Sequence, residues 1–246
     1  MTTLNDIRVK RAYLYTSLIG FSVVGIGFVL FLRFIPVLPP SDSAQEIAHH
    51  FLVHPNLRRL GVLMTLVGAI FTVPYNIVLF DYLRRIEGGG TPLANLFILV
   101  YGIGQFGTWF SGFLWAAMAF RPHQDPHIMQ AFDDAAWLAG TFLWFAVMQW
   151  VVTGLCFFRD SEERYFPRWL GWLSMWVAFV DLGTSLIFFL KDGAFAWNGA
   201  LGFYVPIVIF FPWAVAVIIY MFKALKMDEQ ELLRDGPTGA PARAHV

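Results

Sequence analysis

A chain of 246 residues that is 58% hydrophobic, 18% aromatic and 14% charged lies far from soluble domains, where about 25% charged is typical. Its zero net charge leaves no electrostatic footprint for a nucleic-acid partner, and a lone cysteine, Cys156, excludes an intrachain disulfide and every multi-cysteine metal motif. The 26 Phe and 10 Trp suit a surface that is apolar toward lipid as well as toward its packing neighbours.

In chain order, an N-terminal tail (1–11) with Arg8, Lys10 and Arg11 precedes a first apolar span over 12–38. That run is too long for the apolar core of a secretion signal and reads as a retained span. A polar loop follows, in which Ile47, Phe51 and Leu52 share a helical face and predict a short helix lying on the membrane surface. Span two (60–83) contains Pro74, Tyr75 and Asn76, and a Gly-rich turn leads to span three (93–120). There Gly107 and Ser111 form a small-xxx-small pair that admits a close neighbour. Span four covers 135–158 with Gln149 and Thr153, and span five covers 167–190 with Asp181 inside it. Span six covers 200–222 with Pro206 and Pro212. The charged, then Gly/Pro/Ala-rich tail over 227–246 is expected to be disordered.

The fold class is therefore all-α, a polytopic bundle of six spans forming one membrane domain over 12–226. Six spans put both termini on one side. Twelve of the seventeen Lys and Arg fall on that side, which predicts cytoplasmic termini by the positive-inside rule.

At about 1.5 Å per residue, Asp181 lies near the bilayer middle, with Gln105 and Gln149 at matching depth and Asn76 nearer the terminal side. A carboxylate at this depth costs roughly 2.5–3.5 kcal/mol on insertion scales, so it should face the bundle interior and find donors. Asp181 is the candidate ligand-binding or general acid–base group; its structural alternative is a hydrogen-bonding link between helices. Trp109, Trp144, Trp176 and Trp213 sit deep enough to line a pocket for a flat hydrophobic ligand, or to serve as packing. Trp115, Trp137 and Trp197 fit an outer interfacial belt, and Trp169 and Trp172 an inner one.

A second candidate is a transition-metal site on the outer face. His50 and His54 are spaced i,i+4, as are His123 and His127, with Asp134 nearby, and imidazole with carboxylate suits Zn, Cu or Fe. His49 joins them on that face, though solvated loop histidines account for the same pattern. Asp133 and Asp134 are expected to cap the start of span four. No nucleotide-binding or haem-ligating motif is present.

Three segments, Phe132-Asp133-Asp134-Ala135-Ala136-Trp137, Phe166-Pro167-Arg168-Trp169-Leu170-Gly171-Trp172 and Phe195-Ala196-Trp197-Asn198-Gly199, resemble an uncharacterised group of bacterial six-span inner-membrane proteins. The resemblance implies topology and a bacterial inner-membrane setting, carries no activity, and draws attention to Asp134, Trp197 and Asn198 as an outer cluster. The leading expectation is a bundle that binds or translocates a hydrophobic small molecule or lipid through the slab around Asp181. Two alternatives stand beside it. One is a membrane-embedded enzyme acting on a lipid-like substrate with Asp181 or the His/Asp metal site. The other is a structural subunit, in a homo-oligomer or a larger membrane complex.

Overall fold

A computed structural model describes residues 3–235 apart from 142–143. Six segments among the described residues are long and apolar enough to cross a membrane: Leu4–Phe31, Pro55–Glu87, Pro92–Phe120, Pro126–Arg159, Arg168–Phe188 and Ala200–Arg234. They form an all-α bundle whose outer surface is itself apolar. On α5 (Pro92–Phe120), Phe106, Phe113 and Phe120 recur every seven residues and all face outward, as do Trp172, Trp176 and Phe179 on α8 (Arg168–Leu182). Continuous exposed stripes of this kind have lipid as their natural solvent.

Capping chemistry sets the helix starts. Thr3 and Asp6 form a reciprocal capping box at α1 (Leu4–Ile26), and Ser43 and Glu46 form another at α2 (Ala44–Leu52). Proline occupies the first helical position in α3 (Pro55–Phe71) and α5, where its missing N–H costs nothing, and the second in α4 (Val73–Glu87). The Glu87 carboxylate accepts the N–H groups of Leu93 (3.1 Å) and Ala94 (2.7 Å) at the start of α5 and pairs with Arg159 at 3.1 Å.

Several boundaries differ from the sequence expectation. The first span begins at Leu4 and ends in a π-helical turn, Gly27–Phe31. The apolar residues after it are irregular, with Arg33 in the left-handed region (φ 55°), and Leu32, Phe34 and Val37 are buried against protein. Helix α2 forms as expected but docks on α6 (Pro126–Thr141), with Ile47 and Phe51 fully buried and only Leu52 exposed. Because α6 starts at Pro126, Asp133 and Asp134 lie well inside it; the capping role falls to Asp125, whose carboxylate accepts the His127 N–H at 2.8 Å. The last helix, α9 (Val205–Asp235), continues through half of the segment expected to be disordered; residues 236–246 lie outside the described residues.

That continuation is held by charge. At the end of the bundle shared by both termini, Lys10 pairs with Asp81 (2.6 Å), Arg85 bridges Asp81 (2.9 Å) and Asp228 (2.7 Å), and Arg11 reaches Glu229 (2.7 Å). Arg164 binds Glu231 at 2.8 Å. These pairs tie α1 and α4 to the last turns of α9.

At the opposite end, the start of α3 clamps three neighbours: the end of the first span, α2 and α5. Arg58 donates to the carbonyls of Phe31, Leu32 and His50, and Arg59 to those of Ala119 and Phe120. Carbonyls at helix ends lack intrahelical partners, and guanidinium forks supply them here.

Between these ends, α1 and α3 pack through a glycine seam. Gly20 faces Gly68, and Gly27 faces Gly61. A Cβ on Gly61 would lie 2.7 Å from the Leu32 nitrogen and 2.9 Å from the Phe31 Cβ, whereas one on Gly25 would meet nothing within 4 Å. Gly61→Ala is expected to cost about 1–3 kcal/mol through overpacking. Gly25→Ala should be neutral or stabilising by up to about 1 kcal/mol. Thermal melts of the two variants in detergent check the contrast. The Gly107/Ser111 pair does admit a close neighbour: a Cβ on Gly107 would lie 3.3 Å from the Ala139 carbonyl, and one on Gly140 would lie 2.8 Å from Ser111 Oγ.

Span two breaks at Thr72, two residues before Pro74. Proline cannot donate to the preceding turn, and the disturbed ladder is rescued by side chains. Ser17 Oγ accepts the Tyr75 N–H at 2.9 Å, and Thr72 Oγ1 donates to the Ala69 carbonyl at 2.8 Å.

Candidate functional site

Helix α8 stops being an α-helix one residue after Asp181, at Leu182. Residues Gly183–Phe188 continue as a 3₁₀ helix, and Thr184 Oγ1 donates to the Asp181 carbonyl at 2.7 Å. Across from it, the sixth span opens with a π-helical turn, Ala200–Tyr204, which passes into α9 just before Pro206. Irregular backbone at membrane depth is tolerated where it is buried in protein or lines a cavity, and mid-helix 3₁₀ and π segments concentrate at functional positions.

A cavity of about 290 Å³ lies at this place. Tyr101, Gly104, Gln105 and Thr108 of α5 line one wall, and Phe145, Ala146, Gln149 and Trp150 of α7 (Trp144–Arg159) another. Asp181, Ala139 and Gly140, with Pro206, Ile207 and Phe210, complete it. Gly104 and Gly140 sit at points of close approach: a Cβ on Gly104 would lie 3.2 Å from Phe145 Cβ, and one on Gly140 2.8 Å from Ser111 Oγ.

Asp181 is 2% exposed, and its Oδ2 has no hydrogen-bond partner among the described residues. No Lys, Arg or His is among the described residues that line the cavity. Gln149 is fixed from behind, its Nε2 donating to Asn76 Oδ1 at 3.0 Å. The four polar residues expected at one depth are thus brought together in part: Gln105, Gln149 and Asp181 share the cavity, and Asn76 stands one hydrogen bond behind it.

The four tryptophans proposed as ligand contacts are elsewhere. Trp213 is buried and donates to Ser174 Oγ at 2.8 Å. Trp144 is exposed and bonds Ser185 Oγ at 3.0 Å. Trp176 is exposed on the apolar outer surface, and Trp109 is half-buried with an indole N–H that has no partner among the described residues. The aromatic lining comes from Tyr101, Phe145, Trp150 and Phe210 instead. Helical spacing was the available signal: Tyr101 and Thr108 fall on the Gln105 face, and Phe145 lies one turn before Gln149.

The end of the bundle opposite the two termini carries a buried aromatic cluster in place of a Trp belt. Trp115, Trp137 and Trp197 are buried together with Phe34 and Phe203, and half-buried Phe28 packs against them. Trp115 and Trp137 meet edge to face at 5.3 Å, Trp137 and Trp197 stack at 6.3 Å, and Trp197 Nε1 donates to the Leu38 carbonyl at 3.0 Å. Asp133, also buried, accepts the Trp115 indole N–H at 3.0 Å. At the other end Trp169 and Trp172 are exposed, as belt residues should be.

No group of three or more His, Cys, Asp or Glu among the described residues is placed to hold a metal ion, so His50, His54, His123, His127 and Asp134 do not converge. His50 has a structural task. Its Nε2 meets the Leu32 carbonyl at 2.7 Å and its ring stacks on Phe34 at 5.6 Å. Burial, then the Arg58 charge beside it, pull its pKa down to about 4. His54 is the left-handed residue (φ 57°) that precedes α3. Residue types at loop spacing suggested ligation, but only tertiary placement decides it.

Fold and site together define a multi-span helical membrane protein with a buried acid facing an aromatic-lined cavity. The chain belongs to the family described as a domain of unknown function, DUF4386, which it matches over residues 13–223. The matched region takes in nearly all of the bundle. Comparison with curated proteins and with solved structures gives no match.

Proposed function

We propose that this protein binds a hydrophobic small molecule in the cavity between α5, α7, α8 and the start of α9, and that Asp181 is its polar anchor. The observation that carries the reading is the unpartnered Asp181 Oδ2 at the wall of that cavity. Buried polar atoms are rarely left unsatisfied, and an acid at this depth is costly to insert, so its retention has a use in a ligand's hydrogen-bond donor. The cavity is at the small end of ligand sites, which run to about 300–1,000 Å³ and are mostly apolar with a few placed polar groups. The 3₁₀ and π segments adjoin the lining residues Asp181 and Pro206 in sequence, and their irregular backbone suits entry, release or passage of the ligand.

The setting we infer is a bacterial inner membrane with cytoplasmic termini, supported by the excess of Lys and Arg at the terminal end. Photolabelling of membranes containing the protein with an aryl-alkyl diazirine tests the binding reading. Adducts are expected in three segments, 101–108, 145–150 and 206–210, and an excess of the same compound without the diazirine should compete them away. Adducts confined to the lipid-facing residues Phe113, Phe120, Trp172 and Trp176 would remove the cavity as a ligand site.

A further inference from the structure

We infer that the ligand of the Asp181 cavity is a lipophilic amine, bound as its N–H ammonium. This rests on the reading of that cavity as a ligand site and narrows the chemistry it takes. The first ground is charge. One carboxyl group lines the cavity, and no Lys, Arg or His lines it among the described residues. A fatty acid or a phosphate would bring a second negative charge to a place with nothing to neutralise it. A cation brings the counter-charge that the protein omits, and opposite charges attract strongly away from bulk water.

The second ground is directional. Asp181 Oδ2 is buried without a hydrogen-bond donor among the described residues, so the best partner carries a hydrogen as well as a charge. Charge-assisted N–H···O bonds are roughly twice as strong as neutral ones. An ammonium with an N–H meets both conditions, and a quaternary ammonium meets only one.

The third ground is the remaining wall. Tyr101, Phe145, Trp150 and Phe210 present four rings around a cavity of about 290 Å³, and the faces of such rings attract cations while their area accepts an apolar body. Trp150 and Phe210 are held in place by contact with each other at 6.0 Å and with Trp213 at 6.2 and 5.9 Å. Gln105 and Gln149 add neutral dipoles for any remaining N–H. A neutral ligand of the same shape would use the rings and leave the carboxyl unmatched.

The test compares N-benzyl-2-phenylethylamine with its near-isosteric ether, benzyl 2-phenylethyl ether, by equilibrium titration on the full chain in lipid nanodiscs. The amine is expected to bind at least about tenfold tighter than the ether. Asp181→Asn should erase that difference while ether binding persists. Phe210→Leu, which leaves the acid in place, should weaken the amine more than the ether and serves if the Asn variant is poorly folded. Equal affinity of the two compounds for the wild-type protein would overturn the amine assignment and leave the hydrophobic-ligand reading standing. Binding of neither compound, together with no cavity photolabelling, would overturn both.

Discussion

Asp181→Leu is expected to melt at a higher temperature than the wild-type protein while losing amine binding. The Oδ2 atom is buried and unbonded among the described residues, so the folded state carries the cost of burying it with no hydrogen bond in return. Removing a buried polar group of that kind recovers about 1–3 kcal/mol. Leucine is of similar size, and the Thr184 hydroxyl bonds the Asp181 main-chain carbonyl, which the substitution preserves. Gln149 also keeps its bond to Asn76. Were Asp181 instead a link between helices, the same change would lower the melting temperature.

Asp133 supplies the opposite case. It too is a buried acid, but it accepts the Trp115 indole N–H at 3.0 Å. Asp133→Leu leaves that donor stranded in a buried aromatic cluster and should destabilise by about 1–3 kcal/mol. Thermal melts of the two Leu variants in one detergent, moving in opposite directions, are the expected outcome. A shared fall would show that Asp181 is structural. Stability given up for a binding group is a common exchange at functional sites, and the two acids separate the used group from the satisfied one.

What could be read from the chain follows from which forces are local. Span number is a matter of composition over about twenty residues, and depth is arithmetic along a helix, so Gln105, Gln149 and Asp181 could be placed in one slab without coordinates. Rotation about the helix axis is set by packing. For that reason the deep tryptophans were assigned to a pocket that Tyr101, Phe145, Trp150 and Phe210 in fact line. Apolar residues look alike whether lipid or protein covers them: Leu32, Phe34 and Val37 read as more of span one, and Trp115, Trp137 and Trp197 read as a belt, yet all are core.

One local signal is legible in the sequence, and another set of contacts is not. Asp125-Pro126 is an N-cap followed by proline at the first turn, and it marks the start of α6 better than Asp133 and Asp134 do. The acids Asp228, Glu229 and Glu231 read as part of a solvated tail. Their partners Arg85, Arg11 and Arg164 lie between 67 and 218 residues away in sequence, beyond any local pattern. The carbonyls that Arg58 and Arg59 bind are likewise set by tertiary packing, up to 61 residues away in sequence.

Arg58→Met is expected to be the most damaging single replacement in the bundle. Arg58 is 4% exposed, donates through Nη1 to the carbonyls of Phe31 (2.7 Å) and Leu32 (2.8 Å), and through Nε to that of His50 (2.9 Å). Methionine keeps the bulk and removes the charged donor from all three carbonyls, of which only that of Leu32 keeps another partner among the described residues, His50 Nε2. At roughly 1.5–3 kcal/mol for each charged hydrogen bond left unreplaced, the loss is about 3–5 kcal/mol. Lysine keeps the charge but cannot reproduce the planar fork, so Arg58→Lys should recover little of it. The same corner makes the fold acid-sensitive. His50 shares the Leu32 carbonyl with Arg58, and burial first, then Arg58, with smaller effects from Arg33 and His49, hold its pKa at about 4 against an ordinary 6.5. Between those values the unfolded chain binds a proton that the folded chain refuses. Stability from this group is therefore whole above pH 6.5, falls as pH drops toward 4, and levels off below it. The full loss is on the order of 3 kcal/mol. Melting temperatures measured from pH 4 to pH 8 should show this slope in the wild-type protein and not in His50→Phe. In Arg58→Met the slope should be shallower but still present, because burial remains when the neighbouring charge is gone. A wild-type melting temperature that does not change across this range would show that His50 is not held neutral in the folded bundle.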